Sequence, residues 1–373
     1  METKYNIVKN KIKSRILQGF IQPHQKIGSE NELMKEYQVS RHTIRKAIED
    51  LVYDGWIYKK QGAGTFCADR SLQKNNRYSR TKNIAVITTY FSDYIFPTII
   101  RGAEGYLSEN GYQVTVFSTN NNIEQEGRYL ESVLSQQFDG LIVEPTKSAL
   151  PNPNINYYLN IERLGIPYVM INAYYEELEP THIIMDDAKG GRLQTKHLID
   201  RGHERILGFF KNDDIQGMKR MKGFIKAHRE SALPISPQNI VTYTTETKDT
   251  LPKEVLREKL KQGKDLPTAI VCYNDQLALI LLDVIREMNL SVPGDISIVG
   301  YDDSFLSVAS EVKLTTIKHP KVDMGVQAGR LIKQLIEQKQ NPSAKFDVSS
   351  VVYEPELVIR NSTNKAGVNK EVN

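Results

Sequence analysis

Four hydrogen-bonding side chains fall within five positions of the first seventy residues: Arg41, His42, Thr43 and Arg45. Arg41 and Arg45 are four residues apart, so on a helix both project from the same face. An arginine guanidinium is a forked donor that matches N7 and O6 of guanine, and it binds phosphate groups equally well. The spacing therefore indicates a surface that contacts nucleic acid. The alternative is a solvent-facing row of helix charges, and the neighbouring elements decide between the two.

The segments around these residues predict a winged helix-turn-helix unit. Apolar residues recur every three or four positions along the first twenty residues, which predicts an amphipathic helix. Ser29 and Glu32 form an S-x-x-E capping box at the start of a second helix, and Ser40 caps the third. Gly62 and Gly64 allow a tight hairpin between two short strands. A basic third helix on such a unit has the shape that enters the major groove of DNA.

Charge is divided unevenly along the 373 residues. Residues 1–83 contain 17 Lys and Arg against 8 Asp and Glu, a formal charge of +9, whereas the whole chain carries +4 and the remainder therefore −5. A basic head on a mildly acidic body is typical of a nucleic-acid-binding module joined to a unit with another task. No apolar run approaches the ~18 residues of a membrane span, and no leader precedes the first helix. We therefore expect a cytoplasmic protein that does not associate with membranes.

From Ile84 onward, short Val- and Ile-rich segments alternate with amphipathic stretches. The apolar segments are 84–89, 113–118, 139–145, 166–173, 205–210, 268–273 and 295–302. This alternation predicts βαβ units and parallel sheets. About ten strands exceed the needs of one doubly wound sheet, so two lobes are expected, with a cleft at the carboxyl ends of the strands. The predicted fold class is thus α/β, with an α+β winged helix-turn-helix at the amino terminus.

Polar and aromatic residues follow the predicted strands at the positions where such a cleft would lie. Examples are the segment 90–96, Glu144, Asn172, Asn274 and Asp302. Carboxylates and amides accept hydrogen bonds from hydroxyl groups and rings cover C–H faces, which suits a small polyhydroxylated ligand. Helix capping and loop hydrogen bonds are the alternative role for some of them. Because the sequence contains no nucleophile elbow, Walker loop or metal motif, we expect binding without catalysis, metal or cofactor.

Residues 4–67 resemble the DNA-binding domain of the GntR family of regulators. The resemblance is carried by Pro23, Ser29-Glu30-x-x-Leu33, Val39-Ser40-Arg41-x-Thr43-Ile44-Arg45, Leu51, Gly55 and Gly62-x-Gly64-Thr65-Phe66. Members of the family contact bases with the start of the third helix and with the tip of the wing. By position, the resemblance implies these DNA-binding residues: Lys4, Glu30, Asn31, Ser40, Arg41, His42, Thr43, Arg45, Lys46, Gln61 and Gly62.

Residues 84–361 resemble the effector-binding domain of LacI/GalR-type regulators, which shares the two-lobed fold of periplasmic sugar-binding proteins. The resemblance is carried by the segments 84–89, 101–102, 139–143, 197–203, 220–224, 273–275, 298–303 and 314–317. It implies that the following residues face the effector: Tyr94, Phe96, Glu144, Asn172, Arg220, Asn274, Asp302 and His319. The DNA-binding head usual in that family is replaced here by the GntR-type head, so its hinge helix cannot be assumed.

The pairing of these two domains, together with Tyr94-Ile-Phe-Pro and Ser118-Thr-Asn-Asn-Asn, resembles a group of regulators that respond to L-arabinose. The resemblance implies a homodimeric repressor that binds a palindromic operator in double-stranded DNA and leaves it when L-arabinose occupies the cleft. The identity of the sugar rests on the resemblance alone. Response to a different sugar, a non-regulatory sugar receptor and an enzyme acting on sugars remain as alternatives.

The predicted organisation has four parts. Residues 1–70 form the winged-helix domain, and the polar, basic residues 71–83 form a flexible linker. Residues 84–361 form the domain for effector binding and dimerisation. The polar residues 362–373 are predicted to be a disordered tail.

Overall fold

The computed structural model describes residues 3–69, 81–91, 94–262 and 266–367. Its first part, called the head below, is three helices followed by a two-stranded antiparallel hairpin. In chain order its elements are α1 (Lys4–Leu17), α2 (Glu30–Tyr37), α3 (Arg41–Tyr53), β1 (Ile57–Lys60) and β2 (Gly64–Cys67). The head therefore has the predicted winged helix-turn-helix architecture.

Local hydrogen bonds fix the start of α2 and the turn between α2 and α3. Ser29 Oγ accepts from the backbone N–H of Glu32 at 3.3 Å, and the Glu32 carboxylate accepts from the Ser29 N–H at 2.6 Å, which completes the predicted capping box. Gln38 ends α2 in the left-handed region, with φ 52°. Ser40 Oγ then accepts from the N–H of Thr43 at 3.3 Å and starts α3. The turn thus presents the first residues of α3 at the surface.

The larger part of the chain forms two lobes, each built on a parallel sheet. The amino-terminal lobe, the N lobe, contains β3 (Asn83–Thr88), α4 (Phe96–Glu109), β4 (Gln113–Ser118), α5 (Ile123–Ser135), β5 (Gly140–Val143), α6 (Ile155–Arg163), β6 (Tyr168–Ile171) and β7 (His182–Met185). The carboxyl-terminal lobe, the C lobe, contains α7 (Asp187–Ile199), β8 (Ile206–Lys211), α8 (Ile215–Glu230), β9 (Ile240–Tyr243), α9 (Leu251–Lys261), β10 (Ala269–Cys272), α10 (Asp275–Glu287), β11 (Ser297–Val299) and α11 (Leu306–Ala309).

The last elements tie the lobes together. They are β12 (Thr316–Lys318), α12 (Lys321–Gln340), β13 (Val351–Tyr353) and β14 (Glu356–Val358). Helix α12 returns to the N lobe and packs on α4, and β13 completes a six-stranded parallel sheet in the order β13-β7-β6-β5-β3-β4. The C-lobe sheet has the order β11-β10-β8-β9. The chain therefore crosses between the lobes three times: after β7, before α12 and after β13.

Strands β5, β6 and β10 lie inside the two sheets and have no charged residue, as expected for parallel sheets covered by helices on both faces. Every residue of β5, β6 and β10 is buried. Helices α7 and α8 meet at backbone contact, because a Cβ added at Gly191 would lie 2.2 Å from the carbonyl oxygen of Arg220. A side chain at position 191 would push these helices apart and displace Arg220.

The prediction of a disordered tail from Ser362 onward is wrong for its first residues. Ser362 is fully buried, and its hydroxyl donates to the carbonyl of Ile298 at 2.5 Å. The N–H of Asn364 donates to Ser297 Oγ at 3.0 Å. Strand β11 lies at an edge of the C-lobe sheet, so its backbone groups need partners, and these polar residues supply them. Residues 368–373, residue 70 and residues 71–80 of the predicted linker lie outside the described residues.

Within the described ranges, every helix is too short or too polar to span a lipid bilayer. No group of three or more His, Cys, Asp or Glu side chains in these same ranges is arranged to hold a metal ion.

Candidate nucleic-acid interface and ligand cleft

The exposed face of α3 carries two arginines that share one acidic partner. The side chains of Arg41 and Arg45 are 54% and 57% exposed. Glu30 on α2 accepts from Arg45 Nε at 3.0 Å and lies 3.6 Å from Arg41 Nε. Arg41 also donates to Asn31 Oδ1 at 2.7 Å. These contacts leave both guanidinium groups at the surface while α2 holds them side by side.

The other predicted contacts in the turn lie next to this pair. His42 is exposed at the start of α3, and Thr43 is half-buried, with its Oγ1 2.9 Å from Ser40 Oγ. Ser40 is committed to capping α3, so its hydroxyl has a structural role. The ammonium group of Lys46 lies 4.2 Å from the centre of the Tyr5 ring, a cation–π contact that ties α3 to α1.

The remaining predicted DNA contacts lie on α1 and on the wing. Lys4 is the first residue of α1 and is exposed. Gln61 and Gly62 form the exposed tip of the wing between β1 and β2. Gly62 has φ 74° and Gly64 has φ 120°, conformations that favour glycine and permit a tight turn. A tip without bulky side chains can approach a groove closely.

A second site lies between the lobes, at the carboxyl ends of the parallel strands. The cavity there has a volume of about 110 Å³ and is lined by residues from both lobes. This is well below the roughly 300–1,000 Å³ typical of sites for larger ligands. Seven of the eight predicted effector-binding residues line it: Tyr94, Phe96, Glu144, Asn172, Arg220, Asn274 and Asp302.

On the N-lobe side, Glu144 is held by three donors. Its Oε2 accepts from the N–H of Thr89 at 2.9 Å and from Thr89 Oγ1 at 2.5 Å, and its Oε1 accepts from Asn172 Nδ2 at 3.0 Å. Glu144 is 4% exposed. Burial outweighs these hydrogen bonds and raises the pKa of Glu144 to about 7. The carboxyl group is thus fixed in place at the end of β5.

On the C-lobe side, Arg220 lies at the centre of a buried cluster. Its Nε donates to Asp187 Oδ1 at 2.8 Å and its Nη1 donates to the carbonyl of Tyr273 at 2.7 Å. The guanidinium lies 3.5 Å from the centre of the Tyr301 ring. Asp302 Oδ1, 3.6 Å from Arg220 Nη2, is a buried oxygen without a hydrogen-bond partner among the described residues. It borders the cavity and is available to accept from a ligand.

Aromatic side chains and one amide complete the lining. Tyr94, in the left-handed region with φ 64°, donates from its hydroxyl to the carbonyl of Tyr301 at 2.9 Å and so bridges the lobes. Burial raises the pKa of the Tyr94 hydroxyl well above its ordinary value. Phe96 begins α4 and packs 5.9 Å from the Tyr90 ring. Asn274 caps α10 through its Oδ1, which accepts from the N–H of Leu277 at 2.9 Å.

His319 differs from the other predicted effector residues because it does not line the cavity. It is buried behind Asn172, and its Nε2 donates to Asn172 Oδ1 at 3.1 Å. Burial, with Lys321 and Arg220 nearby, lowers the pKa of His319 well below its ordinary value, so the imidazole is neutral. The prediction that His319 faces the ligand is therefore corrected: it contacts Asn172, which lines the cavity, and does not line the cavity itself.

Sequence reasoning missed the polar residues at the carboxyl end of β8 and directly after it. Lys211, 8% exposed, lies 3.6 Å from both Asp213 and Asp214, and it lines the cavity together with Asp214 and Gln216. Burial lowers the pKa of Lys211, but the two carboxylates outweigh burial and leave that pKa above its ordinary value. These residues directly follow the apolar segment 205–210. The strand-end rule that identified Glu144 would have found them.

The fold and the two sites define the class of the protein. The protein has a winged helix-turn-helix head with a basic recognition helix, and two lobes around a small polar cleft. This is the architecture of a ligand-responsive transcription regulator. Residues 4–67 match the family model of bacterial regulatory proteins of the gntR family. Residues 195–363 match the model of the periplasmic binding protein-like domain.

The chain belongs to the family of arabinose metabolism transcriptional repressors. It is 67% identical over 373 residues to the arabinose metabolism transcriptional repressor of Halalkalibacterium halodurans, with 100% of both chains covered. It is 50% identical over 363 residues to the repressor of the same name from Geobacillus stearothermophilus, covering 97% of this chain and 98% of that one. The transcription regulator CcpA of Lactococcus lactis superimposes with a TM-score of 0.66 at 24% identity, over 76% of this chain and 100% of CcpA. That likeness shows the shared fold.

Proposed function

We propose that this protein is a homodimeric repressor of arabinose-utilisation genes that binds a pseudo-palindromic operator and releases it when L-arabinose occupies the inter-lobe cleft. The observation that carries the proposal is the full-length, 67% identity to a protein named for this regulation. The protein acts in the cytoplasm, where its DNA is, and it binds its sugar without converting it.

The exposed arginine pair supports DNA recognition. Arg41 and Arg45 project from the first turns of α3, the part of a recognition helix that meets base edges. The Glu30 carboxylate holds both arginines before binding, which lowers the entropy lost when they contact bases or phosphates. The exposed wing tip at Gln61 and Gly62 is then in a position to reach the adjacent minor groove.

The charge balance of the cleft supports a neutral sugar. Both buried cations in the cavity lining already have carboxylate partners, Arg220 with Asp187 and Lys211 with Asp214. A phosphate or carboxylate ligand would have to compete with these carboxylates for the buried cations. Lys248, which also lines the cavity, is partly exposed and lies 5.1 Å from the centre of the Tyr90 ring. Acceptors such as Asp302 Oδ1 instead suit the hydroxyl groups of a small sugar.

Two observations support the proposed dimer: winged helices read palindromic DNA in pairs, and the large domain exposes apolar side chains. Two heads related by a two-fold axis read the two halves of a palindromic operator. Phe305 and Val308 at α11 are 66% and 46% exposed, and Val322 on α12 is 53% exposed. A second copy of the chain would cover such side chains. Sugar binding that changes operator affinity through this dimer requires a coupling free energy of about 1–3 kcal/mol, or roughly 5- to 150-fold.

The decisive experiment measures operator affinity with and without L-arabinose. A duplex selected from random sequence by the sugar-free protein serves as the probe, and fluorescence anisotropy gives its dissociation constant. We expect L-arabinose to weaken binding at least about fivefold. Unchanged or tighter binding would refute induction.

Two further measurements separate the alternatives. A thermal-shift panel of pentoses and hexoses identifies the sugar, and stabilisation by another sugar alone would reassign the effector. Chromatography of L-arabinose after prolonged incubation with the protein tests for an enzyme, and any product would exclude a purely regulatory role. Absence of operator binding under all conditions would favour a non-regulatory receptor.

A further inference from the structure

The head does not stand apart from the large domain: the carboxyl end of α1 lies against α6 of the N lobe. Buried apolar residues of the two form one continuous cluster, in which Leu17 of the head and Ile161 of the lobe are 3% and 0% exposed. Within the described part of the chain, three polar contacts cross this boundary, and they involve Ser14, Gln18 and the carbonyl of Leu17. We call this set of contacts the docking contact.

The hydroxyl group of Tyr157 on α6 is the hub of the docking contact. It donates to Glu131 Oε1 at 2.5 Å within the lobe. It therefore accepts from the head, from Ser14 Oγ at 3.0 Å and from Gln18 Nε2 at 3.0 Å. One donor and two lone pairs are all that a tyrosine hydroxyl offers, and all are used. Burial and Glu131 raise the pKa of Tyr157 to about 12, so the hydroxyl keeps its proton.

A second contact satisfies the end of α1. The last carbonyl groups of a helix have no partner within it. The carbonyl of Leu17, the last residue of α1, accepts from Asn160 Nδ2 at 2.5 Å, and Asn160 is 5% exposed. Gly19, with φ 75°, caps α1 locally, since its N–H donates to the carbonyl of Ile16 at 3.0 Å and the N–H of Phe20 donates to that of Arg15 at 2.9 Å. The lobe adds a donor for the Leu17 carbonyl, which this local cap does not satisfy. A head detached from the lobe keeps its local cap and leaves the Leu17 carbonyl to water.

The lobe side of the docking contact connects to the cleft through a buried carboxylate. Next to Tyr157, Tyr158 donates from its hydroxyl to Glu126 Oε1 at 3.0 Å. Tyr175 donates to the same oxygen at 2.8 Å and accepts from the N–H of Thr146 at 3.0 Å. Glu126, Tyr158 and Thr146 are all fully buried. Thr146 is two residues beyond Glu144, so α6 is linked to the segment that lines the cavity.

The same segment meets the C lobe across the cleft. Ser148 Oγ donates to Asp214 Oδ1 at 3.1 Å and accepts from the N–H of Ile215 at 3.0 Å. Lys147 pairs with Glu246 of the C lobe. The described arrangement therefore combines lobes that touch around the cavity with a head that is docked on α6.

We propose that the docking contact is the regulatory contact of this protein: it forms when the lobes close around the ligand, and it withdraws the head from DNA. The inference rests on the proposed function for the identity of the sugar and the operator. A head bound to its own lobe has a single orientation, so the lobes fix the distance between the two heads of a dimer. Half-sites on B-DNA place recognition helices about 34–36 Å apart or a multiple of that distance, and a fixed distance that fits none of these prevents paired binding.

The first test measures head position directly by electron–electron resonance between two spin labels. Tyr53→Cys in the head, which is 93% exposed, and Gln136→Cys at the exposed end of α5 provide the labels. Cys67 and Cys272 are buried, so labelling is selective. Labelled chains are diluted with unlabelled protein to remove distances between protomers. We expect L-arabinose to narrow the distribution to the single distance of the docked head. We expect the selected operator duplex to remove this peak from the distribution. A distribution that neither ligand changes would overturn the proposal.

The second test removes the docking contact from either side. Tyr157→Phe deletes the hydroxyl group on the lobe side. The double variant Ser14→Ala/Gln18→Ala deletes the two head side chains that bond to this hydroxyl. Because these two residues lie in the head, the double variant leaves the fold of the lobes intact. The matched control is Tyr168→Phe, which removes a buried hydroxyl bonded to Glu162 within the lobe at 2.6 Å. In both docking variants we expect L-arabinose to bind and operator affinity without sugar to stay unchanged.

The weakening of operator binding by sugar should shrink from at least about fivefold to about twofold or less in the docking variants, and should persist in the control. Full induction in both docking variants with unchanged distances would refute the inference. Loss of operator binding without sugar would also refute it, because docking would then serve repression. If the operator affinity of the wild-type protein did not change with L-arabinose, the proposed function itself would be refuted. The two failures are therefore distinguishable.

Discussion

Arg220 Nη2 stops 3.6 Å from Asp302 Oδ1, which is too long for a hydrogen bond although both side chains are almost fully buried. Arg220 directs its short bonds to Asp187 and to the carbonyl of Tyr273 instead. Burial raises the pKa of Asp302, and the charge of Arg220 opposes this rise. The arrangement keeps one carboxylate oxygen beside a cation yet free to accept from a ligand hydroxyl.

We therefore expect Asp302→Asn to weaken sugar binding with little effect on operator affinity. Hydrogen bonds to charged groups contribute about 1.5–3 kcal/mol, which corresponds to roughly 10- to 150-fold in the dissociation constant for L-arabinose. Isothermal titration calorimetry measures this constant. Asp303→Asn is the matched control: Asp303 pairs with Arg360 at 2.7 Å outside the cavity lining, so it should lower the melting temperature and leave sugar affinity unchanged. Equal loss of affinity in both variants would contradict the assignment.

On α3, Arg45→Ala should weaken specific operator binding by about 10- to 100-fold while sugar binding persists, since one good base contact contributes about 1–3 kcal/mol. Anisotropy titrations at two salt concentrations distinguish a base contact from a phosphate contact. Arg15→Ala is the control, because Arg15 is an exposed head arginine paired with Glu36 away from the reading face. Simultaneous loss of DNA and sugar binding in Arg45→Ala would show that the two sites are not separate.

Local signals carried the prediction of the head and of the central strands. The capping box at Ser29 and the segment 113–118, predicted and observed as a strand over the same residues, are set by neighbours in sequence. Strands β7 and β9 were not predicted. Strand β7 forms between β6 and β13, and β13 lies more than 160 residues further along the chain. Strand β9 is at an edge of its sheet, and the exposed Thr242 interrupts its apolar pattern.

Site residues could be predicted where they directly follow a strand that the sequence reveals. They could not be predicted where one side chain lies behind another that lines the cavity. Glu144 and Asn172 follow predicted strands and line the cavity. His319 carries similar chemistry but lies behind Asn172, and no sequence spacing reveals which of two layers a residue occupies. Ser362 shows a third case, since its burial depends on an edge strand more than sixty residues away.

The pH dependence of stability should report the buried Glu144 carboxyl. Its pKa is raised from 4.5 to about 7 by burial, so the folded protein holds this proton more tightly than the unfolded chain does. The stabilisation is therefore fully present below pH 4.5 and is lost as the pH rises through about 7, on the order of 1.4 kcal/mol per unit of pKa difference as an upper bound. In Glu144→Gln, the melting temperature should fall less between about pH 5 and pH 8. Glu104→Gln on the exposed face of α4 should keep the wild-type profile, and identical profiles in all three proteins would contradict this explanation.

The role of His319 as a positioning residue predicts a rescue. His319 donates from Nε2 to Asn172 Oδ1, and Asn172 in turn donates from Nδ2 to Glu144, so the imidazole fixes which end of the amide faces each neighbour. His319→Leu removes the donor, and we expect sugar affinity to fall by about three- to tenfold, the value of one neutral hydrogen bond of roughly 0.5–1.5 kcal/mol. His319→Gln restores an N–H donor and should recover most of that affinity, with melting temperatures similar in both variants. Calorimetry with L-arabinose measures the difference in sugar affinity between the two variants. A merely structural role would lower sugar affinity and melting temperature together in both proteins. Equal affinity in the Leu and Gln variants would mean that the orientation of Asn172 does not depend on His319.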